Sequence, residues 1–276
     1  MSLLITIEGI DGAGKTTAQN ALTEVVDNPV LTTEPNDSEG YNEKWNTVDW
    51  FGEQVRNAIS TDETHPLSVL FFFLADHAHH YENTIKPALN DGNNVICDRY
   101  IGSRYAYQSL SLNDMINGDS LSYLSTLHES ELNISNQDAN MIFNTAEDKI
   151  PQSLYSETPE VGKYLFGLAH HPETYPEKLT HPTDDFIGLS VDESADASWS
   201  QKPNHTILLD LPVDEALNRI SGSDNEVFEK REFLTKVRKQ YLSVADRKPQ
   251  EFTVIDATQS IEVVSQSVQN VVLDNY

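Results

Sequence analysis

The chain has 276 residues, 44 Asp and Glu against 18 Lys and Arg, and a net charge of -26 at pH 7. A surface of that sign repels phosphate backbones and argues against nucleic-acid binding, and no apolar run reaches the length of a membrane span. The single cysteine, Cys97, excludes an internal disulfide, suits a cytoplasmic setting and reads as a buried, inert thiol.

Despite the charge, 38% of residues are hydrophobic, enough for a folded core. Leu3–Ile7 is apolar and β-branched and is predicted as a buried strand. Met1 lies so close to it that no signal peptide is expected. Gly9 to Thr16 fits the pattern G-x-x-x-x-G-K-[ST], and Ala18–Val26 continues at helical spacing. Glycines let the backbone approach a ligand closely. The N–H groups of such a loop converge at a helix N-terminus, where the dipole favours an anion. Gly9, Gly12, Ala13, Gly14 and Thr17 are therefore expected to cradle the phosphates of ATP. Lys15 should reach the β- and γ-phosphates, and the Thr16 hydroxyl should bind Mg2+.

Pro29–Thr33 is predicted as a second strand. Tyr41–Ile59 is predicted as a helix, since Trp45, Val48, Phe51, Val55 and Ile59 recur every three or four residues. Pro66 opens a helix through His80 that extends to Leu89 and stops near Gly92. Asn94–Cys97 is the third strand, with Asp98-Arg99-Tyr100 at its C-terminal end, and Ile101–Leu110 is the next helix. From about 111 to 203 the periodicity fades into an acidic stretch that reads as an insertion, with Ser120–Leu127 as a candidate helix. His170, His171 and His181 lack a metal-ligand spacing and read as solvated loop residues. Thr206–Leu211 is a fourth strand, Pro212–Ile220 a short helix and Ser221–Glu229 a polar loop. Phe233–Ala245 is a helix, Phe252–Ile255 a fifth strand and Ile261–Val272 a closing helix. The alternation implies an α/β fold, a doubly wound five-stranded parallel sheet with helices on both faces. We expect a single P-loop nucleotide-kinase domain over residues 1–276, with the insertion at about 111–203 and a lid at about 221–231. Ligands of such sheets bind at the carboxyl ends of the strands, where Gly9, Glu34 and Asp98 fall.

These segments resemble the thymidylate kinases, which move the γ-phosphate of ATP to dTMP. The resemblance is carried by Ile7 to Thr17 with its mid-loop acid, by Thr32-Thr33-Glu34-Pro35 and by Ala75-Asp76-His77-Ala78-His79-His80. It continues through Ile85–Leu89, Val95–Tyr100, Ser103, Ala106, Tyr107 and Gln108. Asp210, Arg219, Tyr241 and Ile255-Asp256-Ala257 extend it into the second half. The resemblance implies ATP and dTMP as substrates. It also implies Mg2+ on Thr16 with Asp98 nearby, and an acceptor site that includes Glu34, His77, Ser103 and Gln108. Arg99 would clamp the acceptor's phosphate, which suits a guanidinium's forked donors. By resemblance, Asp11 would bind the sugar 3′-hydroxyl and orient Arg99. Phe73 would stack on the base, Tyr107 would crowd the 2′ position and Arg219 would stack on adenine.

Three positions depart from the family pattern. Thr33 and His77 stand where it has Arg, and no basic residue occupies Gly12 or the stretch from Ile220 to Glu229. Arg104 is expected to take over the base contact that His77 cannot make. The cation for the transition state is expected from Arg231 first, with Lys230 beside it and Lys163 of the insertion as the fallback. A deoxynucleoside kinase, another nucleotide kinase or a catalytically weakened nucleotide-binding module are the alternative readings. The sequence is compatible with a homodimer and points to no nucleic-acid or membrane partner. The lysine-poor acidic profile resembles proteins of salt-loving cells, an ordinary acidic protein being the alternative.

At molar salt the Debye length falls to about 3 Å, which screens the self-repulsion of a chain of charge -26. Melting temperature and activity are therefore expected to rise with KCl into the molar range. A calorimetric series that stays flat would show that the acidic surface is not a salt adaptation.

Overall fold

A computed structural model describes residues 2–36, 50–61, 64–112, 124, 201–220 and 224–276, with 224–230 described as backbone. All of them belong to one compact unit formed by Met1–Glu129 and Trp199–Tyr276. The expected insertion, the Ser120–Leu127 helix apart from Leu124, the three histidines and Lys163 lie outside the described residues, as does the first half of the Tyr41–Ile59 helix.

Five strands form one parallel sheet: β1 (Leu4–Glu8), β2 (Pro29–Thr33), β3 (Asn94–Asp98), β4 (His205–Asp210) and β5 (Phe252–Asp256). Their order is β2-β3-β1-β4-β5. The chain moves outward from β1 to β2, returns to β3, then crosses β1 to build β4 and β5. All five residues of β1 are buried, as expected of a central parallel strand covered on both faces.

The described helices are α1 (Lys15–Leu22), α2 (Trp50–Ile59), α3 (Pro66–His80), α4 (Lys86–Asn90), α5 (Ile101–Leu112), α6 (Val213–Arg219), α7 (Asp224–Arg247) and α8 (Ile261–Asn275). Pro66 opens α3 at a position where its missing N–H costs nothing, and the His65 ring caps the helix by accepting from Leu67 N–H. The expected extension of α3 to Leu89 is present, but it passes through a wider π turn at Tyr81–Ile85 before α4. The polar loop expected at Ser221–Glu229 is corrected, because α7 already begins at Asp224. Glu, Lys and Arg are good helix formers, so a polar run without an apolar stripe can still be helical. One core cluster joins β1 and β4 to α1, α7 and α8, through residues such as Ile7, Leu22, Leu208, Val237 and Val268.

The register sets the carboxyl ends level. Ile7 of β1 and Thr33 of β2 both lie opposite Asp98 of β3. Glu8, Glu34 and Asp98 therefore end up on one rim of the sheet, and the loop after β1 opens beside them.

Candidate active site

The loop between β1 and α1 is shaped by crowding. Gly9 and Gly12 take φ of +147° and +82°. A Cβ would stand 2.7 Å from the Leu209 carbonyl oxygen at Gly9 and 2.8 Å from that of Ala216 at Gly12. No side chain fits at either position, so the basic residue that the family pattern allows in this loop has no room at Gly12. Gly14, at φ +94°, caps α1 and turns the chain into Lys15. The Lys15 ammonium is buried and donates to the Ile10 carbonyl at 3.2 Å. Burial, and then the charge of Arg99, bring its pKa down to about 8.

Next to Lys15, the Thr16 hydroxyl donates to Asp98 Oδ2 at 3.2 Å. The other oxygen, Oδ1, is buried without a hydrogen-bond partner. A hydroxyl and a carboxylate with a spare oxygen at a phosphate loop form a donor set of the kind a hard divalent cation takes, so these residues fit Mg2+.

A cavity of about 540 Å3 opens beside the loop, with Asp11, Glu34, Arg56, Phe73, Arg99, Ser103, Arg104, Tyr107 and Gln108 in its wall. Arg99 leaves β3 with φ +68°, in the left-handed region. Its Nη2 donates to Asp11 Oδ1 at 2.5 Å. Its Nη1 lies 3.2 Å from each of Gly9 O, Ser103 Oγ and the Tyr241 hydroxyl. The guanidinium also faces the Tyr107 ring at 5.4 Å. Gln108 is buried, with its carbonyl oxygen Oε1 unpartnered.

Arg104 is 2% exposed and ion-paired with Glu34 at 2.5 Å. Burial alone would raise the Glu34 carboxyl, but Arg104 and His77 beside it hold its pKa well below the usual carboxylate range. His77 Nδ1 lies 2.7 Å from both Glu34 Oε1 and Arg104 Nη2. The ring is fully buried and is absent from the cavity wall. It braces Glu34 and Arg104 from behind, away from the position a base-reading residue would take. Burial, with Arg104 adding to it, lowers the pKa of His77 to about 4, so the ring is neutral at pH 7.

Arg219 lies on the far side of the phosphate loop, bridging Gly12 O at 3.2 Å and Ala257 O at 3.1 Å. Arg231 is half exposed near the start of α7, is ion-paired with Asp214 of α6 and does not line the cavity. Arg56 had no assigned role in the sequence. It is exposed and stands in the cavity wall, on α2 where that helix packs on α3. Glu8 and Tyr241, the partners beneath Arg99, had no assigned role. A glutamate in a strand otherwise apolar was the available signal for Glu8. Burial raises its pKa to about 7, while the Ser103 hydroxyl and Arg99 pull the other way.

A family model described as thymidylate kinase matches residues 7–127 and 185–268. The chain belongs to the thymidylate kinase family. A probable thymidylate kinase of Halorubrum lacusprofundi is 33% identical over 269 residues, covering 98% of this chain and 96% of its own length. Another, of Methanoculleus marisnigri, is 30% identical and covers 96% and 92%. In thymidylate kinase from Ehrlichia chaffeensis the fold is shared at a TM-score of 0.54, with 23% identity and coverage of 99% of this chain and 98% of that one. The family model thus leaves 128–184 unmatched, while the Halorubrum relative aligns over nearly the whole chain.

The neutral His77 has a signature in stability. Between pH 6.5 and about 4 the unfolded chain binds a proton at this ring that the native state refuses. Its contribution therefore makes stability fall as the pH drops through that window. Glu8, raised to about 7, works in the opposite direction over much of the same range, so the informative quantity is a difference. His77→Gln is expected to stabilise the protein at pH 5 relative to its effect at pH 7.5, as read by denaturant melts. NMR of the wild-type imidazole should show no titration above pH 5.

Proposed function

We propose that this chain transfers the γ-phosphoryl group of ATP to dTMP, giving ADP and dTDP. The observation that carries the reading is Arg99, held by Asp11 at the mouth of the cavity and set beside a phosphate loop. Family membership supports the same reading.

The loop N–H groups and Lys15 hold the ATP phosphates. Thr16 and Asp98 would hold Mg2+, which when bound there would neutralise charge on the β- and γ-oxygens. Arg219, anchored against Gly12 and Ala257, lies where adenine would stack. On the acceptor side, Arg99 grips the phosphate of dTMP and Arg56, also in the cavity wall, adds a second guanidinium. Asp11 fixes the plane of Arg99 and meets the 3′-hydroxyl. Phe73 stacks on thymine, and Tyr107 closes the space a 2′-hydroxyl would need. Phosphoryl transfer needs in-line positioning and positive charge more than covalent help.

Thymine offers two carbonyl acceptors and one N–H donor. Arg104 can donate to a carbonyl, and the unpartnered Gln108 Oε1 can accept from the N–H. The ion pair with Glu34 stops Arg104 from adapting to other bases. For the transition state, Arg231 would leave Asp214 when the start of α7 moves over the phosphates.

A panel of nucleoside monophosphates in a coupled ADP-release assay at high salt tests the assignment. We expect dTMP to be the best acceptor, dUMP slower and the rest poor. Lys15→Ala should abolish most turnover without unfolding the protein. A best acceptor of dCMP or AMP would overturn the base assignment, and no turnover with any would favour the weakened binding module. Arg104→Ala should raise the dTMP KM by an amount worth roughly 1.5–3 kcal/mol, the range for a hydrogen bond to a charged group. An unchanged KM and base preference would remove Arg104 from the base site.

The cation assignment has its own readout. Arg231→Ala is expected to lower kcat by more than tenfold with little change in ATP affinity, the pattern of a group that acts only in the transition state. If Lys163→Ala does this instead, the insertion supplies the charge. If neither does, the enzyme either lacks such a cation and is intrinsically slow or takes it from another residue.

A further inference from the structure

Beneath Arg99 lies a group of buried polar side chains that the transfer chemistry does not touch. Glu8 is fully buried at the end of β1. Its Oε1 accepts from the Tyr100 N–H at 2.9 Å, just ahead of α5. Its Oε2 accepts from the Ser103 hydroxyl at 2.6 Å and from the Tyr241 hydroxyl at 3.3 Å. The two hydroxyl oxygens are 2.8 Å apart, and both lie 3.2 Å from Arg99 Nη1. The fit leaves no slack, since a Cβ on Gly102 would stand 2.7 Å from Glu8 Oε1.

The direction of these bonds has a consequence. An ionised Glu8 takes the Ser103 hydrogen, and the Tyr241 hydrogen goes to Glu8 or to the Ser103 oxygen, so in either case lone pairs of both hydroxyls are left for Arg99. Nη1 then meets acceptors instead of competing hydrogens. Asp11 fixes the guanidinium on the Nη2 side and the hydroxyl pair fixes it on the Nη1 side. Asp11 is 53% exposed, whereas Tyr241 is 1% exposed. The buried side is therefore the one that solvent and salt cannot loosen.

Tyr241 enters this group from α7, 142 residues away from Arg99 in the chain. The same helix places Phe233 in the cavity wall, 6.0 Å from the Tyr107 ring, and Tyr241 meets that ring edge-on at 6.1 Å. We infer that Tyr241 is a positioning residue that acts through Arg99: its hydroxyl, held by Glu8 and Ser103, sets the guanidinium for the acceptor's phosphate and ties α7 to the acceptor site. The inference rests on the reading of Arg99 as the phosphate clamp.

The test separates phosphate from nucleoside. Tyr241→Phe removes one hydroxyl and keeps the ring. It is expected to weaken dTMP binding about tenfold, the low end for a hydrogen bond to a charged group. Affinity for thymidine, which has no phosphate, should not change, and neither should the ATP KM. Glu8→Gln should show the same selective loss, because its NH2 would face a donor on one side, either the Tyr100 N–H or the hydroxyl pair. In an Arg99→Ala background, Tyr241→Phe should add nothing further, since the residue it acts through is gone. Equal losses for dTMP and thymidine would make Tyr241 a general packing residue and overturn the inference, as would undiminished dTMP binding. A different failure marks the underlying reading: if Arg99→Ala by itself leaves the preference for dTMP over thymidine intact, Arg99 is not the phosphate clamp.

Discussion

A single guanidinium at the carboxyl end of β3 draws the acceptor half of the site together. Arg99 is reached by the loop after β1 through Gly9 and Asp11, by α5 through Ser103 and by α7 through Tyr241. Its backbone takes a φ of +68°, a conformation that costs a non-glycine residue about 1 kcal/mol or more. The Arg99 N–H still donates to Ile7 O at 2.9 Å, so the last ladder bond of the β1–β3 pair holds the turn in place. The strain is thus supported by the sheet itself, and the side chain is aimed where a relaxed backbone would not send it.

A second buried charge group stands behind the first. Glu34, Arg104 and His77 form a buried cluster, with His80 also on Glu34. Removing one partner of such a pair leaves a buried charge uncompensated, at a cost of about 3–5 kcal/mol. The cation beside Glu34 comes from α5, and His77 on α3 is a neutral brace. A second guanidinium around the one Glu34 would leave an excess buried positive charge.

The phosphate loop sets the remaining constraint. Gly12 packs against the Ala216 carbonyl of α6, and Arg219 of the same helix reaches back to the Gly12 carbonyl. Helix α6 therefore closes the loop at Gly12 and leaves no space for a side chain there. A cation for the transferring phosphoryl group cannot come from position 12. Among the described residues near it, Arg231 is held at α6 by Asp214. The overall charge of -26 makes every such cation valuable, since few compete with the acids around them.

Much of this was legible in the residues alone. Buried runs such as Leu4–Glu8 and Asn94–Asp98 declare central strands by composition, and the spacing from Gly9 to Thr16 declares a phosphate loop. The carboxyl-end placement of Asp98 and Arg99 followed from the alternation of strands and helices. Local pattern carries this information because strand propensity and loop geometry depend on nearby residues. Arg56, Glu8 and Tyr241 were not legible as site residues, and neither was the early start of α7. Arg56 enters the cavity wall only because α2 packs on α3. Tyr241 matters only because α7 folds back across the sheet to a residue 142 positions earlier. For Arg104 the sequence supplied the charge and the tertiary structure chose its partner, since the register that sets Glu34 level with Asp98 exists only once the parallel sheet has formed.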